Sequence, residues 1–524
     1  MYVGSAENFT HWSRPAAIRQ ASRAEVPMRP AYRDLYFGKS DARNEVSEDQ
    51  SSFLKSYVDL SEASSELVCG RKFLVLGPKG TGKSALAWYL QATENEGSHL
   101  VLVKDATTLP LSEVPRVQTG QVAGPERTVV AWKFIILCNY LELLLRDTDC
   151  DLQFSKEVQR VSKLLRDFGF MGDAAGRALL KASSTTVEIP IPKLGTIYRR
   201  ESKPYLNIYN LVPYLEDWLS SAQSSSRHLL VVDGLDSIFL NDEKYDESLS
   251  SLVQAAYSVN QRLMSSKASG SVVLLVRNDA FSRISLSLPD SQKMRDDLSF
   301  DLDWRVLSGA AGVNAPLIRL ANQKAAKALE IDSVHVLDYF PKRIEVGQRR
   351  NGRSRSFSTL QYLLNMTRHT PRDLLRLFEE IRKVESSEIY GNGNPRGELR
   401  QDVIREGVLQ YSTKYFVGAI SNEFVGFEGG PESASVALSA LKKVDKQEFD
   451  ADEFEVALKE LDGATVPATR LLSLLFYAGA IGNRVAGKTE SYMHFYHRRD
   501  DSEVYLKGAF VLHNALVHAW NIHR

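Results

Sequence analysis

An α/β fold built on a parallel sheet is what this sequence predicts, on three observations. Short apolar runs recur at residues 73–76, 99–104, 229–232 and 272–276. Amphipathic stretches of helical period, such as 84–91 and 132–146, alternate with them. The first run feeds directly into a glycine-rich turn that opens a helix. Strands that read as continuous apolar segments between helices belong to a sheet covered on both faces.

Composition agrees with a folded, multi-domain chain. The 524 residues are 43% hydrophobic and 25% charged, close to the globular average, which excludes disordered, collagenous and low-complexity classes. The length corresponds to roughly three or four domains. Lys+Arg and Asp+Glu are both 65, so no chain-wide charge favours nucleic acid or an anionic membrane, and any such surface is local. Cys69, Cys138 and Cys150 have no metal-type spacing and form an odd set, which fits a reducing cytoplasm. The most apolar stretch, 129–145, contains Lys133, Asn139 and Glu142 and falls short of the ~20 apolar residues of a membrane span. The expectation is a soluble cytoplasmic protein without a signal peptide, since no apolar run follows the five arginines before residue 34.

The elements divide the chain into four parts. Residues 1–34 are polar and arginine-rich and read as an arm. Residues 35–305 form the α/β core, with an insertion at about 150–205; within it, prolines 190 and 192 confine the alternating segment 185–198 to an edge strand or hairpin. Residues 306–395 form a helical lid, with helices expected at 323–330 and 371–384 joined by a basic linker. Residues 396–524 combine helices, beginning with 397–420, and a mixed tail. In that tail 471–477 reads as a helix, 492–496 and 503–506 as strands, and 511–520 as a closing helix.

The decisive motif is Gly77-Pro78-Lys79-Gly80-Thr81-Gly82-Lys83-Ser84, a full G-x-x-x-x-G-K-[ST] pattern between an apolar strand and a helix. Glycines let backbone N–H groups turn inward around a phosphate, and the helix that continues through Ala85 adds its positive end. Lys83 supplies a point charge for the β- and γ-phosphates, and the Ser84 hydroxyl suits Mg²⁺. The expected ligands of the motif are therefore a phosphate chain and Mg²⁺. The run 229–232 ends in Asp233, which would hold Mg²⁺ through its water shell, while Asp236 would polarise an attacking water. Gly234 stands where many hydrolytic relatives carry glutamate, which leaves slow hydrolysis and nucleotide sensing both open. The run 272–276 ends in Arg277 and Asn278, candidates for sensing the γ-phosphate; the ordinary alternative is a surface Arg277–Asp279 pair. Thr370-Pro371-Arg372-Asp373 opens an amphipathic helix, and Arg372 is placed to reach the phosphates from the lid, although Pro and Asp there are also ordinary helix-start chemistry.

Together these residues resemble the AAA+ and STAND branch of P-loop ATPases, and more narrowly a family of bacterial P-loop ATPases. The shared pattern runs from Phe37-Gly38-Lys39-Ser40-Asp41-Ala42 through residues 71–84, Asp233-Gly234-Leu235-Asp236, Arg277-Asn278-Asp279, Lys293-Met294-Arg295-Asp296, Leu302-Asp303-Trp304 and Thr370–Asp373. It ends with residues 475–483 and His513-Asn514-Ala515-Leu516. The resemblance implies a P-loop core, a helical lid, a winged-helix-like C-terminal domain, ATP as nucleotide, homo-oligomers, and regulatory or anti-phage defence roles. Asn278 departs from the Thr or Ser usual in relatives.

Secondary features carry less. Residues 342–355 hold six basic residues without interleaved aromatics, and read as a solvated loop before a nucleic-acid contact. His494 and His497, three apart on a strand, face opposite sides and do not chelate one ion. The leading expectation is an Mg²⁺-dependent ATPase acting as a conformational or oligomerisation switch, with hydrolysis to ADP and phosphate. The alternatives are a nucleic-acid-binding ATPase that loads on or remodels DNA, and an ATP-locked scaffold that recruits a separate effector protein. The sequence leaves open whether hydrolysis needs an arginine from a neighbouring subunit, for which Arg277 and Arg305 are the candidates.

Overall fold

The computed structural model of the protein describes residues 29–522 apart from 95–98, 110–124, 168–169, 173–207, 236–242, 267–268, 306–314, 347–354, 391–396, 426–429, 464, 487–490 and 499–502. The expected hairpin at 185–198, Asp236, and the loop residues Arg349, Arg350 and Arg353 lie outside the described residues.

Five parallel strands form the central sheet: β1 (Leu74–Leu76), β2 (His99–Asp105), β3 (Arg227–Asp233), β4 (Gly270–Val276) and β5 (Ser299–Asp301). Their order is β2-β3-β4-β1-β5, so β4 lies between the phosphate-loop strand and the strand ending in Asp233. Alternation sorts the side chains onto two faces. Val75, Val101, Leu229, Val231, Val273 and Leu275 join the core shared with helix Lys83–Ala92 and the lid. Leu74, Leu102, Leu230, Val232, Val272 and Leu274 join a second core, under helices Pro125–Leu144, Ile208–Ser221 and Glu243–Leu263. Burial on both faces explains why these strands read as unbroken apolar runs. The edge strand β5 escapes a hydropathy reading because only Ser299 is buried and Asp301 is exposed. The apolar stretch near residue 140 is core: Trp132, Phe134 and Tyr140 are fully enclosed, and Trp132 donates its indole N–H to Ser248 Oγ at 3.2 Å. No helix among the described residues is long and apolar enough to cross a membrane.

The segment expected as an arm packs against the body from residue 29 onward. Tyr32 is fully buried and donates its hydroxyl to the carbonyl of Phe378 at 3.2 Å, and the Arg29 guanidinium lies 3.6 Å from the centre of the Tyr339 ring. Helices Ala42–Glu48, Gln50–Ser56 and Ala63–Val68 then pack beside the phosphate-loop helix. Beyond the sheet come helices Pro316–Ala328, Thr359–Leu364 and Pro371–Glu385. The ends of the basic linker are not loop but an antiparallel hairpin, β6 (Arg343–Val346) and β7 (Arg355–Ser358), in which Arg343 donates to Ser356.

The C-terminal part starts with Gln401–Tyr411, a π-helical turn at Ser412–Phe416 and Val417–Ser421. Helix Gly430–Val444, β8 (Glu448–Phe449), helices Ala451–Lys459 and Ala468–Tyr477, β9 (Ile481–Ala486), β10 (Ser491–His494) and β11 (Ala509–Leu512) follow, in sheet order β10-β9-β11-β8. Residues 503–506, expected as a strand, are not one. The buried Asn483 side chain accepts from Tyr505 N at 2.8 Å and donates to its carbonyl at 3.0 Å, and so takes the place of a strand ladder. The closing helix starts three residues later than expected, at Asn514, because residues up to Leu512 pair with β9 and His513 caps the helix.

Candidate functional site

The turn between β1 and helix Lys83–Ala92 wraps around its own lysine. Lys83, 5% exposed, donates to the carbonyls of Gly77 at 2.9 Å and Pro78 at 3.2 Å. Gly80 has φ +85°, and a side chain there would press within 3.2 Å of Arg372 Cβ. Glycine alone permits both that backbone and that approach. Trp304, from the Leu302–Trp304 segment just past β5, donates its indole N–H to the Thr81 carbonyl at 2.7 Å and fixes the turn from behind.

These residues open onto a cavity of about 300 Å³. Its lining combines residues 79–85, Asp233 and Arg372 with the apolar and aromatic side chains of Tyr57, Leu320 and Leu375. Its wall includes Lys39–Ala42, the N-terminal part of the sequence pattern, and a buried ion pair in which Lys324 Nζ lies 2.6 Å from Glu45 Oε1. Tyr57 stacks on Tyr89 at 4.0 Å between ring centroids. A lining that combines cationic and backbone N–H groups with apolar and aromatic side chains can hold a chain of phosphates and a planar base. Ser84 and Asp233 both line the cavity. Among the described residues no group of three His, Cys, Asp or Glu side chains forms a metal cage. One hydroxyl and one carboxylate that acts through water fit Mg²⁺, which keeps several waters and takes phosphate oxygens.

The glycine after Asp233 has a steric reason. Gly234 has φ +76°, and a Cβ would lie 2.8 Å from Asp105 Oδ1, so any side chain there would strain the backbone and displace the Asp105 carboxylate. Asp105 is the cross-strand partner of Asp233, which places two carboxylates at neighbouring strand tips. Sequence reading ended the β2 run at Lys104 and missed it.

Arg372 reaches the cavity because its helix starts against the loop. Thr370 Oγ1 caps the helix by accepting from Asp373 N at 3.2 Å, and Arg372 N donates to the Gly80 carbonyl at 3.3 Å. The Arg372 guanidinium has no hydrogen bond or ion pair among the described residues, which leaves it available to an anion. Asp373 serves structure: it is fully buried and accepts from Arg368 Nε at 2.9 Å, Arg368 Nη2 at 3.0 Å and the Tyr415 hydroxyl at 2.9 Å. Burial alone would raise its carboxyl, but the Arg368 charge and these hydrogen bonds outweigh that and hold it below the usual range.

Arg277 and Asn278 are not among the residues that line this cavity. They border a smaller pocket that Pro78 and Lys79 also line, with Tyr496 and His497 of the C-terminal part. Arg277 is 8% exposed and engaged by Asp279 at 2.8 Å and Glu423 at 2.9 Å; it is neither a simple surface pair nor turned to the cavity. The Asn278 side-chain carbonyl is buried and unpartnered among the described residues. Arg305 is paired with Asp303 at 2.6 Å. His494 and His497 do not form a metal site with any described residue.

No protein-family model and no curated protein matches the chain. Among solved structures it is similar to the Aeropyrum pernix ORC2 protein in its ADP form, at 13% identity and a TM-score of 0.28, over 87% of this chain and 95% of that one.

Proposed function

We propose that this protein is an Mg²⁺-dependent, ATP-binding and ATP-hydrolysing switch whose nucleotide state sets the position of its lid and C-terminal part. One observation carries the reading: the phosphate loop, Asp233 and the unpaired Arg372 converge on one cavity, with the arginine supplied by a different layer of the structure from the other two. Arg372 and the loop residues would bind and orient the phosphates, and Ser84 and Asp233 would hold the ion, which supplies charge neutralisation when bound. Contacts made only to a γ-phosphate favour one lid position, and their loss reverses the preference. The missing glutamate after Asp233 supports slow turnover. Homo-oligomerisation and a separate effector protein are the outputs in keeping with this reading, in a regulatory or defence setting.

The C-terminal order helix, β8, helix, helix, β9, β10, β11 supports a winged-helix-like domain. Its third helix buries Leu471, Leu472, Leu474, Leu475 and Phe476, and the turn after β10 places Tyr496 and His497 beside Pro78. That placement favours a docked regulatory domain over a DNA reader.

Molecular mass in solution with ADP and with a non-hydrolysable ATP analogue tests the switch. A nucleotide-dependent change in mass or hydrodynamic radius is expected, and identical values with both nucleotides bound would refute the switch and point to the ATP-locked scaffold. Asp233→Asn is expected to lower Mg²⁺ affinity in the nucleotide complex by about 10- to 100-fold, so that nucleotide binding needs correspondingly more Mg²⁺. A magnesium titration of nucleotide affinity checks it, and an unchanged midpoint would remove Asp233 from the site.

A further inference from the structure

Residues Asn422 and Glu423, at the end of the helix Val417–Ser421, close on the back of the phosphate loop. The Glu423 carboxylate, 6% exposed, accepts from Arg277 Nη1 at 2.9 Å with one oxygen and from Arg368 Nη1 at 3.1 Å with the other. The Asn422 carbonyl accepts from Lys79 Nζ at 3.2 Å. Two adjacent residues of the C-terminal part thus hold the loop, the tip of β4 and the lid together.

The electrostatics of this knot are unbalanced. Lys79, Arg277, Arg368 and Arg372 crowd together, and the carboxylates Asp279, Asp373 and Glu423 compensate them only in part. Burial draws the Lys79 ammonium below its ordinary value; Glu423 opposes this, while the charges of Arg277, Arg372 and Arg368 add to it. A further anion at the loop would relieve the crowding and compete with Glu423 for Arg277. The exchange would leave no orphaned carboxylate, because Glu423 retains Arg368, and breaking a buried pair is costly only when a charge is left alone.

We infer that Glu423 is a positioning residue, a latch that holds Arg277 away from the phosphate loop until the terminal phosphate of a nucleoside triphosphate displaces it and frees the 412–423 segment. This rests on the nucleotide reading of the cavity. A diphosphate lacks the competing group and leaves the latch closed.

The test compares equilibrium affinities of ADP and a non-hydrolysable ATP analogue, with Mg²⁺, for wild type, Glu423→Gln and Glu423→Asp, each with and without Arg277→Ala. Glu423→Gln is expected to raise triphosphate affinity relative to diphosphate by about tenfold, the scale of one charge-assisted hydrogen bond. Glu423→Asp should return the ratio toward wild type, and Arg277→Ala should erase the effect of Glu423→Gln. In wild type, backbone hydrogen exchange across 412–423 should rise with the triphosphate and not with ADP, a measurement that needs no variant to fold. Intact binding with a ratio within twofold of wild type, or equal exchange with both nucleotides, would overturn the latch alone. A wild-type protein that binds neither nucleotide would overturn the nucleotide reading and the latch with it.

Discussion

Lys83→Ala is expected to lower ATP affinity by at least about 100-fold while the fold survives. The ammonium is the loop's one internal cation: it is buried and holds the carbonyls of Gly77 and Pro78. Transfer of those hydrogen bonds to phosphate oxygens would add charge-assisted contacts of about 1.5–3 kcal/mol each, and two of them account for a factor of 100 or more. The neutral variant also deprives the Gly77 and Pro78 carbonyls of that donor. The rest of the loop keeps its own supports, the Trp304 bond to Thr81 and the bond from Thr81 Oγ1 to the Pro78 carbonyl at 2.8 Å, so circular dichroism should be unchanged. Calorimetric titration with ATP and Mg²⁺ checks this, and wild-type affinity in a folded variant would refute phosphate binding at the loop.

Sequence reading located the parts of this site that are contiguous. The phosphate loop is eight adjacent residues whose glycines, lysine and serine each have a stated task, and Asp233 stands at the tip of an apolar run. Arg372 was legible through its helix-start neighbours, and the structure places it opposite Gly80. Parts assembled through space left no local trace. Lys324 and Glu45 are 279 residues apart, and each reads alone as one more surface charge on a helix. Glu423 follows an unremarkable helix end, and its value lies in meeting Arg277 and Arg368. The strand β5 was missed because an edge strand needs no apolar face. Arg277 was identified correctly as a strand-tip residue and its pair with Asp279 was legible two residues on, but its second partner, Glu423, is one that no spacing encodes.

Acid is expected to loosen the C-terminal docking well before it unfolds the sheet. His369 from the lid and His497 and His513 from the C-terminal part lie in a row, with ring centroids 5.6 Å and 5.5 Å apart, and His513 stacks on Phe416 at 4.5 Å. His369 Nε2 and both ring nitrogens of His497 are sealed from solvent without a hydrogen-bond partner among the described residues. Burial pulls His369 down to about 4 and His513 down to about 3, with Arg498 adding to both, and burial with the neighbouring imidazoles and arginines pulls His497 well below its ordinary value. Asp373 and Asp303 face the same row but are themselves held below the usual carboxylate range, so they stay ionised above pH 4 and do not take up the protons. The sign follows from the depressed values. The folded form keeps these rings neutral, whereas the unfolded segment protonates them below about pH 6.5. Stability is therefore fully present above that pH and falls as pH drops toward 4, by about 1.4 kcal/mol per pH unit for each imidazole and up to ~4 kcal/mol per unit for three. Against a domain stability of about 5–15 kcal/mol, one unit of acidification is a large fraction. Thermal unfolding at pH 7.5 and 5.5, with limited proteolysis to identify the released part, checks it. His497→Gln should reduce the slope by about a third, and a melting temperature independent of pH over that interval would refute the neutral histidine row.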